Sequence, residues 1–213
     1  MYHIVVNINK KLTYLKQHKF YFSIISLIIG DVEYNFTNEM RYLDFNPDSF
    51  CYFYIKSKSK QMKITASNLN KFLFLKLPSA FMCGVRVKEI DGNKCIVTVR
   101  HRWMNQNPFN SMYFAVQAMA AELSTGALVM FQIETTVKNI SMLVANNKSN
   151  FTKKATGRIT FVCNDGHHAK KAIQDAITTG EGQTFWMKSI GTNEKGEQVS
   201  EMDFEWSVRV KSN

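Results

Sequence analysis

Strict alternation of apolar and polar positions begins at Val85. Val85 and Val87 face one way, Arg86 and Lys88 the other, and Asp91-Gly92 marks a hairpin turn. Beyond the turn, Cys95, Val97 and Val99 alternate with Ile96, Thr98 and Arg100, and Trp103 is expected to close this second strand. The same period of two returns at Ser141–Ala145, at Ile159, Phe161 and Cys163, at Thr184–Ile190, and along Val199–Val210. In the last run Met202, Phe204, Trp206, Val208 and Val210 alternate with Glu201, Asp203, Glu205 and Arg209. Such runs predict a sheet that is apolar on one face and solvated on the other. Ser67–Leu77 reads instead as a short amphipathic helix stopped by Pro78. His167–Thr178 reads as a small helix inserted at the surface after the Asp165-Gly166 turn.

One stretch fits neither pattern. From Asn105 to Phe131 a polar loop carrying Pro108 runs into a long helix that is rich in Ala and apolar nearly all round, with one carboxylate, Glu122, in its middle. A helix without a polar face has to be buried. A central carboxylate costs ~2.5 to 3.5 kcal/mol on a membrane-insertion scale, and Gln117, Ser124 and Thr125 add to it. The helix is therefore expected to be the core of a soluble α+β domain, enclosed by about six antiparallel strands.

Composition divides the chain near Met62. Residues 1–61 contain no Ala or Trp, one Gly (Gly30), one Pro (Pro47) and seven of the eight tyrosines. They are built mainly from residues with AT-rich codons. Two explanations stand: an upstream stretch read through from a start assigned too early, with Met62 the natural start, or a small N-terminal β domain or arm. The expected division is an atypical extension at 1–61 and a domain at 62–213. The net charge of +10 is scattered and on its own describes a solvated surface. Cys51, Cys83, Cys95 and Cys163 form no CxxC pair and no metal-ligand spacing with histidine; His167-His168 is too small a cluster for a metal site. Free cysteines of this kind suit a reducing cytoplasm. No glycine-rich phosphate loop or nucleophile elbow is present, and no metal or redox cofactor is implied.

The order of elements, with Asn107, Tyr113-Phe114-Ala115 and Glu122 at their spacings, resembles the hotdog fold, a curved antiparallel sheet wrapped around one helix. The resemblance covers about residues 66–211 and is nearest to the acyl-CoA thioesterases of the phenylacetate-degradation type and to an uncharacterised bacterial thioesterase-like family. Asn107 matches the Asn of that motif and Asn110 stands where a Gly would be. Tyr113-Phe114-Ala115 occupy the His-Gly-Gly positions, and Glu122 matches the acid. The resemblance implies a homodimer or dimer of dimers, its sheets joined into one and an active site at each end of the interface.

On this reading Glu122 is base or nucleophile and Asn107 positions the carbonyl or the water. The amides around Ser111, Met112 and Tyr113 supply an oxyanion donor backed by the helix dipole. Phe114 adds bulk beside them, and Lys153, Lys154 and Arg158 grip the phosphates of coenzyme A. Tyr113 and Glu122 lie about 13 Å apart along the helix and on opposite sides of it, so two chains are needed at one carbonyl. Plainer roles stand beside these: Glu122 paired to Arg100 or Arg102, Asn107 capping its own turn, Tyr113 a core aromatic, the lysines a solvated turn. The alternative function is a non-catalytic acyl-binding protein. Nucleic acid and membrane are not expected as partners.

Overall fold

The computed structural model describes residues 63–211; the extension at 1–61 and Cys51 lie outside the described residues. Thr65 caps the first helix, α1 (Ala66–Lys76), by accepting from the Asn68 amide at 3.2 Å. Pro78 ends α1 as expected and opens a second short helix, α2 (Pro78–Met82). There follow β1 (Arg86–Ile90), β2 (Cys95–Arg100), the long helix α3 (Phe114–Glu134), β3 (Ile140–Phe151), β4 (Arg158–Cys163), a helix α4 (Gly166–Thr179), β5 (Gln183–Thr192) and β6 (Gln198–Val210). The strands form one antiparallel six-stranded sheet in the order β1-β2-β4-β5-β6-β3. This is the hotdog architecture, and the alternating residues fall as expected: Val97, Val99, Ile159, Phe161, Met202, Phe204, Trp206 and Val208 are all buried around α3. From Leu123 to Val129 every residue of α3 is buried. By length and apolarity α3 could cross a membrane, but it is the core helix that the sheet surrounds.

The β1–β2 hairpin forms where Asp91-Gly92 predicts it, by a specific mechanism. The Asp91 carboxylate accepts from the amides of Asn93 (2.7 Å) and Lys94 (2.8 Å), which hold its pKa below the ordinary value. At one edge of the sheet, the Asn70 side chain on α1 bonds both peptide groups of Val87, acting as a short substitute strand for β1. At the other edge, β3 has no such cover among the described residues.

Two expectations need correction. Trp103 does not close β2: it begins a 3-10 turn (Trp103–Asn105) and is 82% exposed, because the chain turns there before its side chain reaches the core. Nor is α4 a surface insertion. Ala169, Ala172, Ile173 and Ala176 are buried against α3 and β5. β4 pairs with β5 only from Ile190 to Thr192, so the rest of that β5 edge needs other partners. The start of α4 supplies two: the Lys188 amide donates to Asp165 (2.7 Å), and His168 Nδ1 lies 3.3 Å from the Trp186 carbonyl oxygen.

Two cysteines act as small core hydrophobes. Cys95 and Cys163 face each other across β2 and β4 as free, buried thiols, and burial pushes both up to about 12.

Candidate functional site

Glu122 lies on the part of α3 that the sheet leaves partly open. Phe114, Ala115, Ala118, Met119 and Glu122 share this stripe, each exposed or half-buried. The Glu122 carboxylate makes no hydrogen bond or ion pair among the described residues, so the pairing with Arg100 or Arg102 does not occur. Burial alone pushes its pKa up. Its apolar wall comes from β6. An added Cβ on Gly126, one turn along, would meet Trp206 Cη2 at 2.9 Å and Glu122 Oε1 at 3.3 Å. Glycine is therefore required where the indole and the carboxylate converge. The indole is fixed by its Nε1–H, which donates to Thr125 Oγ1 at 3.0 Å.

At the N-terminal end of α3, several expected roles change. Asn107 is used up by its own loop: Oδ1 accepts from the Phe109 amide (2.9 Å), the Ser111 amide (3.3 Å) and the Ser111 hydroxyl (3.2 Å), and Nδ2 donates to Ser111 Oγ (3.0 Å). The plainer reading, a cap on its own turn, describes it. The helix starts at Phe114, later than expected, and the amides before it are already engaged. Ser111 N–H donates to Asn107, Met112 N–H to the Ala155 carbonyl (2.8 Å) and Tyr113 N–H to the Asn105 carbonyl (2.9 Å). None of the three is free to serve an oxyanion. The amides of Phe114 and Ala115 have no acceptor among the described residues, so they are the open donors of the first turn. Ala115 and Glu122 share a face of the helix, about 10 Å apart along it.

The side chains redistribute too. Ser111 and Met112 are buried, and neither offers a substrate-binding surface as expected. Tyr113 is exposed rather than a core aromatic. Its ring meets Phe114 edge-on at 4.9 Å, and Phe114 meets Phe151 of β3 at 6.3 Å. Of the basic residues, Lys153 is tied to Glu197 (2.7 Å) and Lys154 donates to the Phe109 carbonyl (3.3 Å). Arg158 lies exposed, directly across from Arg100 in the sheet. Among the described residues no cluster of three or more His, Cys, Asp or Glu side chains is placed to hold a metal.

Asn105, which no sequence pattern singled out, organises this end of the molecule. It is buried, donates to the carbonyls of Cys83 (2.9 Å) and Arg100 (2.8 Å), and accepts from the Arg102 amide (2.8 Å). Asn105→Ala is expected to destabilise the fold by about 3 kcal/mol, since it strands several backbone groups at once. Urea denaturation checks this. Gln117, also buried, has its Oε1 without a partner among the described residues.

Solved structures share this architecture. A Pseudomonas aeruginosa protein of unknown function, described as a probable thioesterase, is 20% identical with a TM-score of 0.58, covering 68% of this chain and 96% of its own. A Chlorobaculum tepidum protein of unknown function is 14% identical with a TM-score of 0.60, covering 70% and 99%. A Haemophilus influenzae thioesterase is 14% identical with a TM-score of 0.54, covering 70% and 94%. At these identities the likeness establishes the fold. No curated protein matches the sequence. A sequence family does match, across residues 66–208, which holds the whole sheet apart from the end of β6 together with the Glu122 helix. The chain belongs to that family, the one described as Domain of unknown function (DUF4442).

Proposed function

We propose that the protein is a thioesterase that hydrolyses an acyl-CoA at a homodimer interface, with Glu122 as base or nucleophile. The observation that carries this reading is the state of Glu122: a carboxylate without a partner among the described residues, on an open helix stripe, with its pKa pushed up by burial. A structural carboxylate is normally neutralised by a neighbour; one left unpaired in apolar surroundings is poised as a base. The donors for the developing oxyanion are the amides of Phe114 and Ala115, in place of Ser111–Tyr113.

Those donors and Glu122 of the same chain are about 10 Å apart, which is long for one carbonyl group. A partner helix running antiparallel places its own first turn beside Glu122. Two features favour such a partner. β3 is a twelve-residue edge strand, and Asn147, Ser149 and Phe151 point to the helix side of the sheet yet lie exposed. The small residues Ala115 and Ala118 permit close approach along the open stripe of α3. The phenylacetate-type kinship stays within this proposal, as does a reducing, cytoplasmic setting.

A second reading, a non-catalytic acyl-binding dimer, draws on Phe114, whose bulk stands where the related motif has glycine. Thiol release from acyl-CoAs of graded chain length, measured with the full chain, separates the two. Turnover on part of the panel is expected; a folded dimer that binds acyl-CoA without releasing thiol overturns the enzyme reading in favour of the second.

A further inference from the structure

Two long stretches of this chain, 92–121 and 135–164, contain no Asp or Glu, and every charged side chain in them is Lys or Arg. The fold stitches the middle of one to the end of the other. Met112 N–H donates to Ala155, His101 N–H to Gly157 (2.7 Å), and Lys154 Nζ to Phe109. The joined loops present Trp103, Met104 (55% exposed) and Phe109 (72% exposed) to solvent. This is not the exposure of a loose loop. Asn105 pins the 3-10 turn that carries Trp103 and Met104, and Asn107 closes the turn that carries Phe109. These bonds hold the turns while the largest apolar side chains are left outside, which marks an interaction surface.

The charge around these side chains is one-sided. Arg100 and Arg158 face each other across β2 and β4, an unfavourable pairing of like charges, and no carboxylate among the described residues pairs with either. Arg86 feels Arg102 as a second repulsion, after the cost of its own burial. Two acids of the β5–β6 turn come close to these loops: Glu197, paired with Lys153, and Glu194, beside Gly157.

We propose that this loop surface docks on an anionic lipid bilayer, with Trp103, Met104 and Phe109 entering the headgroup region and Arg100, Arg102 and Arg158 facing the lipid phosphates. Tryptophan favours the membrane–water interface, and each nearby Lys or Arg adds attraction to an anionic leaflet. Inserted apolar area and electrostatic attraction then add to one another. A second copy is a poor occupant, since a two-fold interface here would set unneutralised arginines against their own copies. Nucleic acid is also disfavoured: Met104 and Phe109 sit on turns rather than along a groove that tracks a strand. The contact is made by the loops and not by α3, whose apolar length belongs to the core. It reverses the expectation that no membrane is involved, and it stands whether or not the protein turns over thioesters.

The test is co-sedimentation of the full chain with phosphatidylcholine vesicles, with and without about a third phosphatidylserine. Binding is expected to be about tenfold stronger on the anionic vesicles and to weaken in high salt. Replacing Trp103 and Phe109 together by Ala is expected to reduce it about tenfold. Circular dichroism and oligomeric state should stay unchanged, because neither side chain supports the fold. Quenching of Trp103 fluorescence by brominated lipid, with Trp103→Phe as the blank, reads insertion directly. Equal binding to neutral vesicles, or binding indifferent to the double replacement, overturns the proposal. So does Trp103 quenching by an RNA oligonucleotide without lipid, or Trp103 becoming shielded as protein concentration rises.

Discussion

Glu122→Gln is expected to lower acyl-CoA hydrolysis by about a thousandfold while the protein stays folded. The substitution keeps the shape of the side chain and removes its charge. Nothing in the described fold depends on that charge, since the Glu122 carboxylate has no ion pair or hydrogen bond among the described residues. The pH behaviour follows from its surroundings. Burial raises the folded-state pKa above the unfolded one, so the stabilising contribution of this group is complete below the unfolded value. It is lost as pH rises through the raised folded value. Above the unfolded value the group therefore weighs against folding, and Glu122→Gln should be more stable than the parent, an advantage that shrinks in acid. Activity runs the other way. A carboxylate base works ionised, so turnover should rise with pH and reach its plateau above the ordinary carboxylate range. Paired rate–pH profiles and denaturation curves measure both. Unchanged turnover in Glu122→Gln would remove this carboxylate from the chemistry.

Trp206→Ala should have the largest effect on stability, about 3–5 kcal/mol in urea denaturation. The indole is buried, packs over Gly126 and donates to Thr125, so its removal opens a cavity between β6 and α3 and leaves that hydroxyl short of a partner. Against a total stability of about 5–15 kcal/mol, much of the margin would go. Trp206→Phe keeps most of the packing and loses the hydrogen bond, and should cost about 1 kcal/mol. The same ring shields Glu122. If Trp206→Ala still folds, the acid limb of its activity should move to lower pH as water reaches the carboxylate, a shift that a purely structural role for the indole would not produce.

The strands could be read from sequence because each is half-buried. A period of two is visible wherever one face meets the core and the other meets water, as in Met202–Val210 against Glu201–Arg209. The core helix was legible for the opposite reason: its middle has no polar face, and only full enclosure accommodates that. Glu122 stood out as the one charge in such a helix. The roles of Ser111, Met112, Tyr113 and Asn107 depend on where the helix begins. That boundary is set by non-local bonds: Met112 to Ala155 across sequence, and Tyr113 to Asn105 within the loop. Asn105 left no trace in the pattern. A buried amide bonded to the carbonyls of Cys83 and Arg100 has the same local sequence as one in an open turn.

The α+β class, the order of the elements, the enclosed helix and the carboxylate within it all follow from local periodicity and from the cost of exposing apolar surface. Tertiary structure decided which amides of α3 stay free, that Glu122 has an indole for a neighbour and no arginine, and that two acid-free segments far apart in sequence form one basic, aromatic surface. The reason is physical: burial patterns are written locally along the chain, whereas hydrogen-bond partners, pKa shifts and surface charge arise from residues that only folding brings together.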